Sequence, residues 1–264
     1  MAVAILTTET HLDDTTPANP YVDLTHTCTA GSDRLLLLFI GIGDSTSRHS
    51  DGTPTYGGQS MTQIDTGANE GVFVGTEAWY LKEAGIAAAS TNIFSIANDN
   101  QQHLGAGAVC LSGVDQTTPI DTGGIQTSTG DTGTAISVTV ASVAGNLVFA
   151  TLMTDDEALD SGDDTQTTLY VTAATDLDTV HAAQYASGAA STVMQWNQAS
   201  NRFAILGWEV NAAAGGGETI TLDKWQGRQE LPKRAKPAVV SSGTVSIKAV
   251  LRQAEFFRRL RRAA

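Results

Sequence analysis

Positive charge is nearly missing from most of this 264-residue chain. Residues 1–223 hold only Arg34, Arg48, Lys82 and Arg202 against 26 of the 28 Asp and Glu, a balance of 4 − 26 = −22. Long apolar runs are missing too. The longest, Leu35 to Ile40, falls far short of the roughly 20 residues that span a bilayer, so no transmembrane segment is expected and the run reads as a strand buried on both faces. The start, Met1-Ala-Val-Ala-Ile-Leu-Thr-Thr-Glu9, has neither the positive n-region nor the apolar h-region of a secretory signal, and release without secretion is expected. Cysteine is scarce and has no metal-type spacing: Cys28 and Cys110 lie in segments of strand character and read as two unpaired core thiols. A Cys28–Cys110 disulfide is the alternative, because a sequence does not set the Cα separation of about 4.4–6.8 Å that a disulfide needs.

Familiar catalytic patterns are absent as well. There is no G-x-S-x-G elbow, Walker loop, H-E-x-x-H or strand-to-helix glycine fingerprint. His11, His26, His49, His103 and His181 are scattered without paired spacing, and each reads as a surface or hydrogen-bonded polar residue. Asp155, Asp156, Glu157, Asp160, Asp163 and Asp164 crowd one loop that offers carboxylates to Ca²⁺ but lacks the EF-hand order. A glycosidase needs two carboxylates across a cleft, and in so acidic a chain some pair meets that condition by chance. The chain is therefore read as a non-enzyme with no catalytic residue, no metal site and no cofactor.

What the sequence does contain is short β-rich segments separated by Gly, Asp, Asn, Ser and Pro. About nine strand candidates stand out: 34–42, 77–82, 92–97, 106–113, 136–140, 146–152, 168–173, 192–197 and 203–210, with a further one at 218–222. Helical periodicity is scarce before residue 224. The expected fold class is all-β, two antiparallel sheets packed as a β-sandwich. Ile136-Ser-Val-Thr-Val140 alternates strictly, which puts one face on the core and the other towards water or a partner. Trp79, Trp196 and Trp208 fall inside strand candidates and read as core. Residues 44–54 and 155–166 read as exposed loops, and 211–217 as a flexible connection.

The remaining 11 Lys and Arg all lie in residues 224–264, against Glu230 and Glu255, a balance of 11 − 2 = +9. Two domains follow: an acidic sandwich over 1–223 and a basic tail over 224–264. Pro232 and Pro237 keep the first part of the tail extended. Val250, Ala254, Phe257, Leu260 and Ala264 then recur near helical spacing among arginines, which predicts an amphipathic basic helix at about 245–263. The candidate docking residues are Lys233, Arg234, Lys236, Arg252, Phe256, Phe257, Arg258, Arg259, Leu260, Arg261 and Arg262. Charge alone leaves open whether they meet the chain's own body, a neighbouring copy, another acidic protein, a lipid headgroup layer or nucleic acid.

The succession Ser32-Asp-Arg-Leu-Leu-Leu-Leu-Phe-Ile-Gly-Ile-Gly-Asp44, Tyr56-Gly-Gly-Gln-Ser-Met-Thr-Gln-Ile64, Ala78-Trp-Tyr-Leu81 and Gly107-Ala-Val-Cys-Leu-Ser-Gly-Val-Asp-Gln-Thr-Thr-Pro-Ile120 resembles a β-sandwich module of bacteriophage virion proteins and large bacterial surface proteins. The resemblance runs from about residue 20 to 210 and leaves out the tail. It implies a jelly-roll-like domain displayed on a particle or cell, homo-oligomeric, with a trimer as one form, and no catalytic set. On this basis the expected function is a structural protein of the virion, a capsid decoration or cement or head-fibre component assembled in the host cytoplasm. Other virion proteins, capsid or tail subunits, would be its partners through the C-terminal tail, with no specific nucleic acid. The alternative is a carbohydrate-binding or adhesive receptor-recognition module of a tail fibre or bacterial surface protein. An enzyme acting on polysaccharide is the third.

Overall fold

The structure, a computed structural model, describes residues 2–14, 19–43, 50, 52–70, 74–97, 103–155, 159–161, 165–173 and 179–214. All belong to one compact unit, Met1–Glu218. The unit is built almost wholly of antiparallel strands. Its first half contains β1 (Ala4–Ile5), β2 (Thr10–Asp14), β3 (Leu35–Gly43), β4 (Thr55–Tyr56), β5 (Gln59–Ser60), β6 (Thr62–Glu70), β7 (Val74–Lys82), the single short helix of the described residues α1 (Glu83–Ala88), β8 (Phe94–Ser95) and β9 (His103–Ser112). A first sheet runs β1-β9-β3-β7-β6, with β2 also on β9, and β5-β4-β8 form a small separate sheet.

Leu35 to Gly43 is apolar at nearly every position because β3 is flanked by β7 and β9 and covered on both faces. Its side chains alternate between two cores. Leu35, Leu37 and Phe39 face the second sheet, while Leu36, Leu38, Ile40 and Ile42 pack under Tyr21, Leu24, Tyr56, Phe94 and Ile96.

The second sheet uses β10 (Gln126–Val140), β11 (Leu147–Thr154), β12 (Leu159–Ser161), β13 (Thr167–Ala173), β14 (Val180–Ser187) and β15 (Thr192–Val210), in the order β10-β15-β11-β14-β13 with β12 on β15. Phe39 meets Phe149 and Trp208 at ring-centroid distances of 6.2 and 5.7 Å, so one apolar core joins the two large sheets. The β10–β15 ribbon is longer than the sheet it belongs to. Register shifts at Gly130/Gly133 and Gly133/Ala135 mark irregularities along it, and the part beyond them packs on the sheet's other face. There Ile136, Val138, Val140, Met194 and Trp196 cover Val148, Ala150 and Leu152, and Val138 and Val140 lie where a side chain on Gly207 would go.

Several expectations need correction. The segments 192–197 and 203–210 are one strand, because the chain stays extended through residues 198–202, where its pairing with β10 shifts register, instead of turning back. Val180–Ser187 was absent from the sequence candidates, since His-Ala-Ala-Gln has little β character, yet it pairs along its whole length with β11. Its Ala182, Ala183 and Ala186 are small because cores press on both faces. Within 155–166, Leu159–Ser161 is a strand on β15 and not part of an exposed loop. The first sheet takes its strands from residues 4–112 and the second from 126–210, so the chain finishes one before starting the other; a jelly roll passes between sheets repeatedly. Finally, Cys28 and Cys110 are not free thiols: they form a disulfide with a Cα separation of 5.5 Å.

Candidate functional site

The structure gathers three of the five scattered histidines at one place where the large sheets meet, His103 and His181 buried and His11 exposed at the edge. β2 supplies His11 and Asp13, β9 supplies His103, and β14 supplies His181. His103 is fully buried and its Nε2 donates to the Asp13 carboxylate, which only accepts when ionised, while Nδ1 pairs with the Thr179 hydroxyl. Hydroxyl, imidazole and carboxylate thus stand in the order of a nucleophilic triad. Thr179 and His103 are both buried, however, so the arrangement works as a clamp holding β2 and the start of β14 on β9.

His181 lies deeper. Its Nε2 is 3.0 Å from Thr151 Oγ1, and that hydroxyl donates to the Ala182 carbonyl at 3.3 Å. With the hydroxyl proton committed there, His181 donates from Nε2 and keeps a bare Nδ1, which has no hydrogen-bond partner among the described residues. Burial, then the neighbouring His103 and His11, push its pKa down to about 3. Tyr170 stacks on His11 at 4.9 Å and meets His181 edge-on at 5.4 Å; burial, with Glu9 adding to it, raises its phenol well above the ordinary value. Glycines make this fit possible. A Cβ on Gly105 would lie 2.5 Å from His181 Cβ, and one on Gly107 2.2 Å from the Tyr170 ring, so both positions of β9 must lack a side chain.

The second feature is a cleft of about 540 Å³ along the N-terminal segment, lined by Thr7, Thr8, Thr10, Thr25, Thr27, Thr29 and Asn92, with no Asp, Glu, Lys or Arg among the described residues of its lining. The spacing Thr25-x-Thr27-x-Thr29 turns three hydroxyls outward on an extended stretch, and the residues between them, His26 and Cys28, point in. His26 is buried at the cleft floor between Thr7 Oγ1 at 2.8 Å and Thr10 Oγ1 at 3.0 Å, and burial lowers its pKa to about 4. Thr7 Oγ1 also accepts from the Cys110 amide at 3.2 Å, so the cleft wall is tied to the disulfide. The cleft can offer hydroxyl and amide hydrogen bonds to a neutral polar ligand.

The docking residues named from the sequence, Lys233, Arg234, Lys236, Arg252, Phe256, Phe257, Arg258, Arg259, Leu260, Arg261 and Arg262, lie outside the described residues, as do the boundary at 223/224 and the helix at about 245–263. So do Asp156, Glu157, Asp163 and Asp164 of the acidic loop; Asp155, at its start, accepts from the Arg202 side chain at 2.8 Å and is committed to the body. Trp79, Trp196 and Trp208 are buried, as their strand positions led one to expect. Sequence reasoning missed the histidine assembly because its members are about 80 or more residues apart: strand pairing brings β2 to β9, and the packing of one sheet on the other brings β14 over them. The signal that was there is Gly105-x-Gly107 inside an otherwise good strand, which marks a close approach by something bulky. No family model matches this chain, and comparison with curated proteins and with solved structures finds no similar protein either.

Proposed function

We propose that this chain is a non-enzymatic structural protein of a bacteriophage particle, a capsid decoration or head-fibre component whose two main sheets form a sandwich and whose basic tail docks on other virion subunits. The observation that carries this reading is the segregation of charge: −22 in residues 1–223 against +9 in residues 224–264. An acidic body keeps copies apart in solution, while a basic, aromatic-bearing end adheres to acidic grooves with Phe256, Phe257 and Leu260 as the apolar anchor. The body supports the reading by its staple and its deeply buried strands, which suit a domain that must survive outside a cell. The resemblance of residues 20–210 to virion modules points the same way.

The adhesive reading is favoured by one feature, the neutral hydroxyl-lined cleft in an otherwise acidic body. Quantitative mass spectrometry of density-purified particles separates the two. A fixed copy number relative to the shell protein is expected for decoration, and a few copies per particle for a fibre. Absence from particles would refute the virion reading.

A further inference from the structure

We propose that Cys28 and Cys110 are a post-folding oxidation site, closed on the already folded chain by exchange with a low-molecular-weight disulfide that enters through Cys28. Each cysteine is positioned by contacts that do not need the S–S bond. The segment carrying Cys28 is bridged to the small-sheet region at Tyr21↔Ile96 and Thr25↔Ile93. The His26 amide donates to the Asn92 carbonyl at 2.9 Å, the Phe94 amide to the Leu24 carbonyl at 3.0 Å, and the Tyr56 hydroxyl to the His26 carbonyl at 2.7 Å. Tyr21 and Leu24 are sealed into the core on the same stretch. Cys110 is fixed independently by β9, its neighbour β3 and the hydrogen bonds from Leu6 and Thr7. Folding therefore brings the two thiols together before any oxidant acts.

Access is unequal. Cys110 is fully buried, whereas Cys28, although its side chain turns in from the threonine face, is only half-buried. The Cys28 thiolate attacks a sulfur of an external disulfide RSSR, forming Cys28–S–S–R and releasing RS⁻, which takes up a proton. The Cys110 thiolate then attacks the Cys28 sulfur and expels the second RS⁻. The protein dithiol loses two electrons and two protons, and RSSR gains both as two RSH. A reducing cytoplasm holds such a pair open, and an oxidising exterior closes it. Only that timing rests on the particle reading; the order of attack rests on the contacts above.

The test uses the full-length chain, reduced and held at neutral pH. Its circular dichroism and amide NMR spectrum should match those of the oxidised chain, and N-ethylmaleimide should label Cys28 at least about 10-fold faster than Cys110. With oxidised glutathione, the wild type should lose two hydrogens in mass. Cys110→Ser should accumulate one glutathionyl group on Cys28, and Cys28→Ser should remain unmodified. Equal labelling of both thiols, an adduct on Cys110 in Cys28→Ser, or an unfolded reduced chain would each overturn the proposal. Alkylation of particles before and after release from cells then reads the timing: open inside and closed outside is expected, and closure already inside would refute it. Absence of the chain from particles would refute the function proposed above and leave the thiol chemistry standing.

Discussion

Acidification should destabilise this protein through two buried imidazoles. In the folded chain His26 and His181 have pKa values pushed down to about 4 and about 3, chiefly by burial. In the unfolded chain both return to about 6.5 and take up protons first. The unfolded state binds more protons in that interval, so stability is fully present above about pH 6.5 and is lost as pH falls towards the folded values. At about pH 5 the unfolded imidazole lies about 1.5 pH units past its midpoint; at about 1.36 kcal/mol per unit that is about 2 kcal/mol for each histidine and about 4 kcal/mol for both. Against a typical domain stability of about 5–15 kcal/mol this is a large share. Protonating carboxylates opposes it by relieving the body's −22 self-repulsion, so a control is needed. Urea denaturation of the wild type and of a His26→Gln/His181→Gln double variant, at about pH 7.5 and about pH 5, supplies it. The wild type should lose about 4 kcal/mol more than the variant on acidification. Equal losses in the two proteins would refute the reasoning, because burial of neutral imidazole would then contribute no pH dependence.

Other outcomes follow from single contacts. Gly107→Ala places a methyl group 2.2 Å from the Tyr170 ring and should cost about 1–3 kcal/mol, read as a fall in melting temperature, with a similar fall for Gly105→Ala against His181. Reduction of Cys28–Cys110, separated by 82 residues, should lower stability by about 2–4 kcal/mol without unfolding the chain at neutral pH, so the reduced protein at about pH 5 should be the first form to unfold in a denaturant series. Arg34→Ala breaks the two-nitrogen grip on Glu83, half-buried at the surface, and should cost about 1 kcal/mol; in the intact protein that grip holds the Glu83 carboxyl below its ordinary range. Deleting residues 224–264 should leave a folded body by circular dichroism and abolish incorporation into particles, and replacing Arg258, Arg259, Arg261 and Arg262 by Gln should weaken docking in a salt-sensitive way.

Local sequence pattern already carried the strands that bury β-branched and aromatic residues. Leu35 to Ile42 is apolar whichever way it faces, and Ile136-Ser-Val-Thr-Val140 alternates; the structure buries Ile136, Val138 and Val140 and exposes Ser137 and Thr139. Those patterns are one-dimensional and survive without knowledge of the partner strand. β14 was illegible for the opposite reason: its alanines are chosen by the closeness of two cores, a property of neighbours far away in the chain. The irregularities in the β10–β15 ribbon were likewise invisible, since bulges preserve extended backbone while redirecting it.

The sequence by itself determined an all-β acidic body, its buried tryptophans and the separation of charge between body and tail, because composition and period-two alternation are local quantities. Only the tertiary structure decided that Cys28 meets Cys110, that buried His103 and His181 gather beside exposed His11 over the glycines of β9, and that six threonines line one cleft. These depend on strand register, in which a shift of one residue reverses every side chain, and register is fixed by the whole set of packed neighbours.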